Sequence, residues 1–524
     1  MIQLQNIRFD VKDRTLFHVS DLKVHQGERI GLVGRNGSGK TSLLQMMAGD
    51  ILSPSGTITK NASVELLPQI KPRMGEKSGG EISQTVINQT LARAPEVLLA
   101  DEPTTHLDTE HMKKLEQQLQ RRREALIVVS HDRAFLDALC TKIWEIEDGQ
   151  IHVFTGNYSN YEQQKAEARQ HHEKEYEKYV QKKKQLEEAM QQKEQKAQRA
   201  TKKPKNVSNS EAKITGAKPH FAKKQKKLNQ GVKSIQTRID QLDKVEKIKE
   251  LPPIKMQVTN EESLRNHIII RGEQVSGTVG KRLLWEEFDF TINGGDHIAL
   301  IGPNGSGKTT FLRMIMDEQQ SMQVSPSVSF GYFSQMMDVL VLEDSIIDNV
   351  RHTSFQDQTL IRTVLARLGF FQEEVFKPVH VLSGGERVKV AFAKLFVSNA
   401  NTLILDEPTN YLDIDALEAL ESLLVEYSGT FIFVSHDRRF LQNVATRIFA
   451  IRDKKIDSFD GSYEAYMRST PQKKHDPLQD ELLKVETKIS DVLSRLSITP
   501  SEDLEEEFQR LLRQKTDIKQ QLND

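Results

Sequence analysis

The sequence predicts an α/β fold built twice, with one long helical hairpin between the copies and a second at the C-terminus. Three observations carry this. Two glycine-rich loops of the phosphate-cradling kind occur, Gly34-Arg35-Asn36-Gly37-Ser38-Gly39-Lys40-Thr41 and Gly302-Pro303-Asn304-Gly305-Ser306-Gly307-Lys308-Thr309. Two apolar strand runs, Leu98-Leu99-Ala100 and Leu403-Ile404-Leu405, end in the carboxylate pairs Asp101-Glu102 and Asp406-Glu407. Outside these units, apolar residues recur at alternating spacings of four and three, the seam of a coiled coil.

The copies align by subtraction. Lys40 and Lys308 differ by 268 positions and Gln69 and Gln335 by 266, whereas Ser78 and Ser383, Asp101 and Asp406, and His131 and His436 all differ by 305. The second copy therefore carries about 39 extra residues between Gln335 and Ser383, where the first keeps eight between Gln69 and Ser78. Tyr158 and Tyr463, in Gly156-Asn157-Tyr158 and Gly461-Ser462-Tyr463, keep the offset of 305, so each copy ends alike and launches an extension.

The chain of 524 residues has room for about three or four domains of ~150 residues. Cys140 is the only cysteine, which excludes an internal disulfide and is expected to be a packed residue. Met1-Ile2-Gln3-Leu4 shows no basic-then-apolar leader, and no apolar run approaches the ~18–20 residues that span a bilayer. A net charge of −1 hides an asymmetry: residues 161–250 hold 24 Lys/Arg against 13 Asp/Glu, and residues 191–230 hold 12 against 2. One cationic projection on a balanced protein predicts a local polyanion contact.

That projection reads as a hairpin. Its second arm has Leu228, Val232, Ile235, Ile239 and Leu242 as a seam, and its first arm a thinner one, Tyr176, Tyr179, Leu186 and Met190. Between them Thr201–Phe221, with two prolines, one glycine and several Ser/Asn residues, is expected to break the helices, and Leu251-Pro252-Pro253 closes the segment. Arms of about 40 and 28 residues would reach roughly 60 and 40 Å. In the C-terminal extension Leu478, Leu482, Val485, Ile489, Val492 and Leu496 form one face, and Leu504, Phe508, Leu511, Ile518 and Leu522 the returning one. Thr499-Pro500-Ser501-Glu502 has the form of a capping box between them. With 9 Lys/Arg and 12 Asp/Glu from 471 onward, this extension is a packing or docking module.

The chemistry is phosphoryl transfer. Backbone N–H groups of a Walker A loop wrap phosphate at a helix N-terminus, with Lys40 or Lys308 as the point charge and Thr41 or Thr309 offering a hydroxyl to Mg²⁺. Asp101 and Asp406 would hold the same ion, with Gln69 and Gln335. Glu102 and Glu407 would polarise the attacking water as general bases. His131 and His436, in Val-Ser-His-Asp runs after a further apolar strand, face the γ-phosphate on this reading.

Ser78-Gly79-Gly80-Glu81 and Ser383-Gly384-Gly385-Glu386, each between a Walker A loop and an Asp-Glu strand end, resemble the signature of the ATP-binding-cassette (ABC) superfamily. The resemblance implies two ABC-type nucleotide-binding domains in a head-to-tail sandwich with ATP between them. One site would combine Lys40, Gln69, Asp101, Glu102 and His131 with Ser383 and Gly385. The other would combine Lys308, Gln335, Asp406, Glu407 and His436 with Ser78 and Gly80. Asp108 and Asp413 fall in the superfamily's D-loop, and the 39-residue insertion is where it places a helical subdomain, so the first copy nearly lacks one. Three departures stand out: Lys77 replaces the usual leucine, Tyr411 stands opposite His106, and Val11 and Val279 lie at the adenine-stacking position, with Phe9 as the nearby aromatic.

Two cassettes in one chain joined by a charged helical linker are similar to the ABC-F family over essentially all 524 residues. The run Leu99-Ala100-Asp101-Glu102-Pro103-Thr104-Thr105, the segment Gln195–Lys205 and Gly216-Ala217-Lys218-Pro219 resemble its Vga-type antibiotic-resistance branch. The expected domains are 1–158 and 254–468 as cassettes, 159–253 as linker with a basic tip at 201–221, and 469–524 as the extension. The resemblance implies a cytoplasmic monomer that binds the bacterial 70S ribosome. From the E site it would push the linker past P-site tRNA toward the 23S rRNA of the peptidyl-transferase centre, against lincosamides, streptogramin A compounds and pleuromutilins. Lys202, Lys203, Lys205, Lys213, Lys218, Lys223 and Lys224 are the candidate RNA contacts. A housekeeping translation factor and a transporter's ATPase subunit are the alternatives.

Overall fold

A computed structural model describes residues 1–11, 14–69, 79–105, 107–199, 217–245, 264–265, 267–318, 321–333, 339–410, 412–469, 485, 488–489, 492 and 502–523. They fall into two compact units: Met1–Tyr161 with Leu251–Asp524, and Glu162–Glu250.

The first unit holds both repeats. A nine-stranded sheet forms the first, in the order Thr57–Lys60, Ile2–Val11, Arg14–Val24, Gln150–Thr155, Lys142–Glu147, Arg29–Gly34, Ala125–Val129, Val97–Asp101, Val64–Leu67. The last five are mutually parallel and the other neighbours pair antiparallel, save a single parallel bridge between His18 and Gln150 that joins the two regions. The second repeat uses the same order in two pieces. Its six-stranded sheet runs Phe330–Phe333, Thr402–Asp406, Thr430–Val434, His297–Ile301, Arg447–Arg452, Lys455–Asp460. A three-stranded sheet, Arg282–Asn293, Ile268–Val279, Met322–Val324, completes it.

The strand runs are apolar at every position because both faces are covered. Val97 and Leu99 face one core with Leu43 and Met47 of the helix Lys40–Ala48, while Leu98 and Ala100 face another with Met112, Leu115 and Phe135. Ile404 and Leu403 divide the same way in the second repeat. Cys140 is buried as expected, and burial pushes its thiol up to about 12.

The repeats differ where the spacing says they should. Between Phe333 and Ser383 the second folds helices Ile346–Arg351 and Gln358–Arg367, whose Ile346, Ile347, Val350, Ile361, Val364 and Leu365 join its core. The equivalent stretch of the first runs only from Leu67 to the helix Gly79–Ala92.

The second unit is built on the helix Tyr158–Arg199, of 42 residues, and the helix Ala217–Asp240, of 24. Ile235 is buried, and Leu228, Val232, Ile239 and Leu242 are half-buried, as the seam requires. At Gly231 the helices come close: a Cβ there would stand 3.2 Å from the Lys193 ammonium. The expected break is shorter at its C-terminal end, because the second helix already begins at Ala217. Pro219 is tolerated there, since N–H groups of a first turn have no intrahelical acceptor. Lys218, Lys223 and Lys224 lie on this helix, whereas Lys202, Lys203, Lys205 and Lys213 lie outside the described residues.

At the C-terminus the helix Glu502–Asn523 packs Leu511 and Ile518 against Val485, Ile489 and Val492. Thr499, Pro500 and Ser501 of the expected capping box are outside the described residues.

Candidate active sites

Each glycine-rich loop ends at a left-handed glycine that caps a helix: Gly39 with φ 98° before Lys40–Ala48, and Gly307 with φ 102° before Lys308–Met316. Glycine is required twice over. Its φ is hostile to other residues, and a Cβ at Gly39 would sit 2.8 Å from the Phe17 ring, one at Gly307 2.5 Å from Trp285. Lys40 donates to the carbonyls of Gly34 (2.6 Å) and Arg35 (3.0 Å), and Lys308 to those of Gly302 (2.9 Å) and Pro303 (3.1 Å). Burial lowers the pKa of both ammonium groups. The buried Ser38 and Ser306 hydroxyls have no partner among the described residues, which suits a cradle for a polar ligand. Phe9 is stacked on Phe17 at 5.6 Å, whereas Val11 and Val279 present exposed apolar surface at the strand ends.

Behind each loop the Asp-Glu pair closes a buried strand. The Thr41 hydroxyl bonds Asp101, and Thr309 bonds Asp406; burial still raises both carboxyls. Glu102 and Glu407 both adopt left-handed backbone, φ 49° and 52°. That is rare for non-glycine residues and is held here by bonds from their N–H groups to Val129 and Val434. Burial pushes both glutamates up to about 7, against the pull of Lys40 and Lys308. His131 Nε2 stands 3.1 Å from Glu102 Oε1, and His436 Nε2 3.3 Å from Glu407 Oε1. Burial first, then the lysines, depress the imidazoles to about 4 and about 3. Near neutrality each site therefore pairs a neutral histidine with a carboxyl close to its midpoint. Thr104–Ser130 (3.0 Å) and Thr409–Ser435 (3.1 Å) hydroxyl contacts hold the histidine segments against the loops after Glu102 and Glu407.

The cassettes meet through their D-loops. Asp413 caps Ile414–Glu426 by accepting from the Ala416 N–H, and its other oxygen accepts the Asn36 N–H of the opposite Walker A loop at 3.0 Å. Asp108 does the same for Thr109–Gln120 and for the Asn304 N–H, at 3.1 Å. The Lys40 site is thus faced by the second cassette and the Lys308 site by the first. Ser383 opens the helix Gly384–Phe396 in a capping box: its N–H donates to Glu386 Oε2 (2.8 Å) and its hydroxyl accepts from the Glu386 N–H (3.3 Å). Lys389 on that helix reaches Asp413 at 3.4 Å, which ties the signature to the Lys40 site. Gly80 lies in the first turn of Gly79–Ala92, and Gln69 is exposed just past Val64–Leu67. Lys77, Ser78, His106, Gln335 and Tyr411 lie outside the described residues.

Several ion pairs across the interface escaped sequence reasoning. Arg133 pairs with Glu421, Arg438 with Glu116 at 3.1 Å, and Arg35 with Asp415 at 3.1 Å, each across the two cassettes. A signal existed for the first two pairs: Arg133 and Arg438, like Glu116 and Glu421, are separated by 305 positions.

Comparison with known proteins agrees with this architecture. The ABC transporter family profile matches residues 17–75 and 285–410. The ribosome protection protein VmlR of Bacillus subtilis (strain 168) is 32% identical, over 98% of this chain and 97% of its own length. The chain belongs to the ABC-F family. The erythromycin resistance ATP-binding protein MsrA of Staphylococcus epidermidis is also 32% identical to this ABC-F protein, over 87% of this chain and 98% of MsrA. Among solved structures, the archaeal ribosome recycling factor aABCE1, in complex with stalk protein aP1, superposes with a TM-score of 0.58. At 16% identity, covering 91% of this chain and 98% of that one, the likeness concerns the fold. This ABC-F protein binds ATP and is an ATPase. Among the described residues no helix is long and apolar enough to cross a membrane.

Proposed function

We propose that this ATPase acts on bacterial ribosomes as an antibiotic target-protection factor. ATP closure of the cassettes would drive the linker from the E site past P-site tRNA toward the 23S rRNA of the peptidyl-transferase centre. The observation that supports the first half is the reciprocal D-loop bond, Asp413 to Asn36 and Asp108 to Asn304, through which each cassette reaches its partner's glycine-rich loop. The second half is supported by the concentration of 12 Lys/Arg against 2 Asp/Glu in residues 191–230, suited to a phosphate-lined cavity. The names of VmlR and MsrA support both ribosome and resistance. Lincosamides, streptogramin A compounds and pleuromutilins are the drugs proposed. The protein would work in the cytoplasm as a monomer, with cassettes 1–158 and 254–468, linker 159–253 and extension 469–524.

In each site the Walker A backbone and Lys40 or Lys308 would hold the outer phosphates, and Glu102 or Glu407 would take the proton of the attacking water. His131 or His436 would contact the γ-phosphate, with Ser383 and Gly385, or Ser78 and Gly80, contributed from across. The all-oxygen donor sets Thr41 with Asp101 and Thr309 with Asp406 fit Mg²⁺, and Gln69 and Gln335 would join them. Bound there, Mg²⁺ would supply neutralisation of phosphate charge.

The test is co-sedimentation of Glu102→Gln with Glu407→Gln and 70S ribosomes in ATP. Retention with the ribosome is expected, weakening as salt rises; sedimentation clear of ribosomes overturns the reading in favour of a transporter-type ATPase. In a sensitive host, expression should raise the inhibitory concentration of these drugs, and deletion of residues 201–221 should abolish the rise. Ribosome binding without any such rise would indicate a housekeeping translation factor.

A further inference from the structure

The two ion pairs across the cassettes occupy equivalent positions. Arg133 donates from both terminal nitrogens to Glu421, and Arg438 lies beside Glu116, each position carried onto its counterpart by the offset of 305. The interface is pseudo-twofold, as isologous contacts require. Both pairs also connect the same parts. Arg133 follows His131 by two residues, and Glu421 lies on Ile414–Glu426, the helix capped by Asp413. Asp413 in turn holds the Asn36 N–H. One helix of the second cassette is therefore fastened to the Lys40 site at the Walker A loop and again beside the histidine. Thr109–Gln120 fastens the Lys308 site in the same way, through Asp108 to Asn304 and Glu116 to Arg438.

We propose that Arg133–Glu421 and Arg438–Glu116 are positioning pairs of the ATPase, which set the D-loop helix of one cassette in register with the histidine loop of the other, and that Arg133–Glu421 dominates. The pairs are unequal in two independent respects. Side chains of Arg133 and Glu421 are 2% and 10% exposed, against 18% for both members of the other pair. Asn443 also donates to Glu421 Oε2 at 3.0 Å, whereas the position 305 residues earlier is Ala138, which has no side-chain donor. Asp437 faces Arg133 and Asp132 faces Arg438, so each guanidinium meets two carboxylates of the opposite cassette. Removing one member of a buried pair strands the other without compensation, and the cost is greatest where water reaches least. The Lys40 site should accordingly depend on its pair more than the Lys308 site does. This rests on the assignment of His131 and Asp413 to an ATP site.

The test is steady-state ATP hydrolysis by the full chain over a range of ATP concentrations. Arg133→Glu or Glu421→Arg should lower kcat about tenfold or more with KM within about threefold, and the combined swap should recover most of the loss. Arg438→Glu or Glu116→Arg should cost about threefold or less. Single reversals of the first pair with kcat within about twofold of wild type, or a folded swap no better than its singles, overturn the proposal. Equal losses at the two pairs overturn the claim of dominance. If a reversal does not fold by thermal melting, Arg133→Lys is read instead, since it keeps the charge but not the two-pronged geometry. A fall in kcat with KM unchanged is then expected, and wild-type kcat overturns. Glu102→Gln assayed alongside separates the two levels: if it turns over normally, the site assignment fails rather than the positioning role.

Discussion

Lys389 stands 3.4 Å from Asp413, and the position 305 residues before Lys389 is Gln84. The two D-loop aspartates, alike in every backbone contact, therefore meet different cations. Burial works to raise the Asp413 carboxyl, but Lys389 and the N–H groups of Asn36 and Ala416 outweigh it and hold the pKa below the ordinary value. Asp413→Ala should remove a helix cap, worth about 1 kcal/mol, and also strand the half-buried Lys389 ammonium. A drop in melting temperature is expected, larger than for Lys389→Met, because a methionine leaves the cap and the Asn36 bond in place. Equal drops would mean that the ion pair alone matters.

In the first cassette the cation is His111, whose Nδ1 lies 2.7 Å from Asp108. The bond to Asp108 raises the imidazole pKa, although partial burial opposes it. A folded-state pKa above the unfolded value stabilises fully below about 6.5 and fades as pH rises through the raised value. His111→Gln should therefore lower the melting temperature at about pH 6 and have little effect at about pH 8.5. Lys389→Met, at the equivalent contact, should cost the same at both. An equal effect of His111→Gln at the two pH values would show that Asp108 does not need the charge.

What could be read from the chain beforehand is what chemistry forces on residue type. Gly39, Lys40, Asp101, Glu102 and His131 are of the types that phosphate chemistry calls for, so each stands in plain view and returns in the second repeat, the first two 268 positions on and the other three 305. The seam Leu228–Leu242 was legible for a similar reason, since a period of 3.5 has few other uses. Less visible were properties that arise only when chain segments meet. Nothing local marks Glu102 for left-handed backbone; the bond from its N–H to Val129 holds it there. Arg133 and Glu421 read as ordinary helix residues, because their partners lie 288 positions apart. Pro219 misplaced a helix start for the opposite reason: a strong local signal is silent within the first turn.

The cradle glycines allow strain and overlap to be separated. Gly37 and Gly39 both have positive φ, but a Cβ at Gly37 would meet nothing within 4 Å, whereas one at Gly39 would run into Phe17. Gly37→Ala should cost about 1–2 kcal/mol of backbone strain, read as a small fall in melting temperature. Gly39→Ala should add displacement of the loop from the helix N-terminus and weaken ATP binding at that site about tenfold or more. Calorimetric titration with ATP distinguishes them; equal affinities would place Phe17 outside the cradle's support.

The last prediction concerns Glu102, raised by burial to about 7 from an ordinary 4.5. If it is the general base, kcat should climb between about pH 6 and pH 8 with a midpoint near 7, because only the carboxylate can accept a proton. The same shift has a cost in stability. A folded-state pKa above the unfolded one stabilises below 4.5, and that contribution is lost as pH rises through 7. Above that pH the fold carries a buried carboxylate, a penalty on the order of 3 kcal/mol. Glu102→Gln keeps the shape and removes the charge, so it should melt higher than wild type at about pH 8.5 and no higher at about pH 5, while hydrolysis at the Lys40 site is lost at both. His131, depressed to about 4, titrates in the opposite sense but is present in both proteins and cancels from the comparison. A glutamine variant with no gain in melting temperature at high pH would mean that Glu102 ionises freely, and the midpoint near 7 would then need another group.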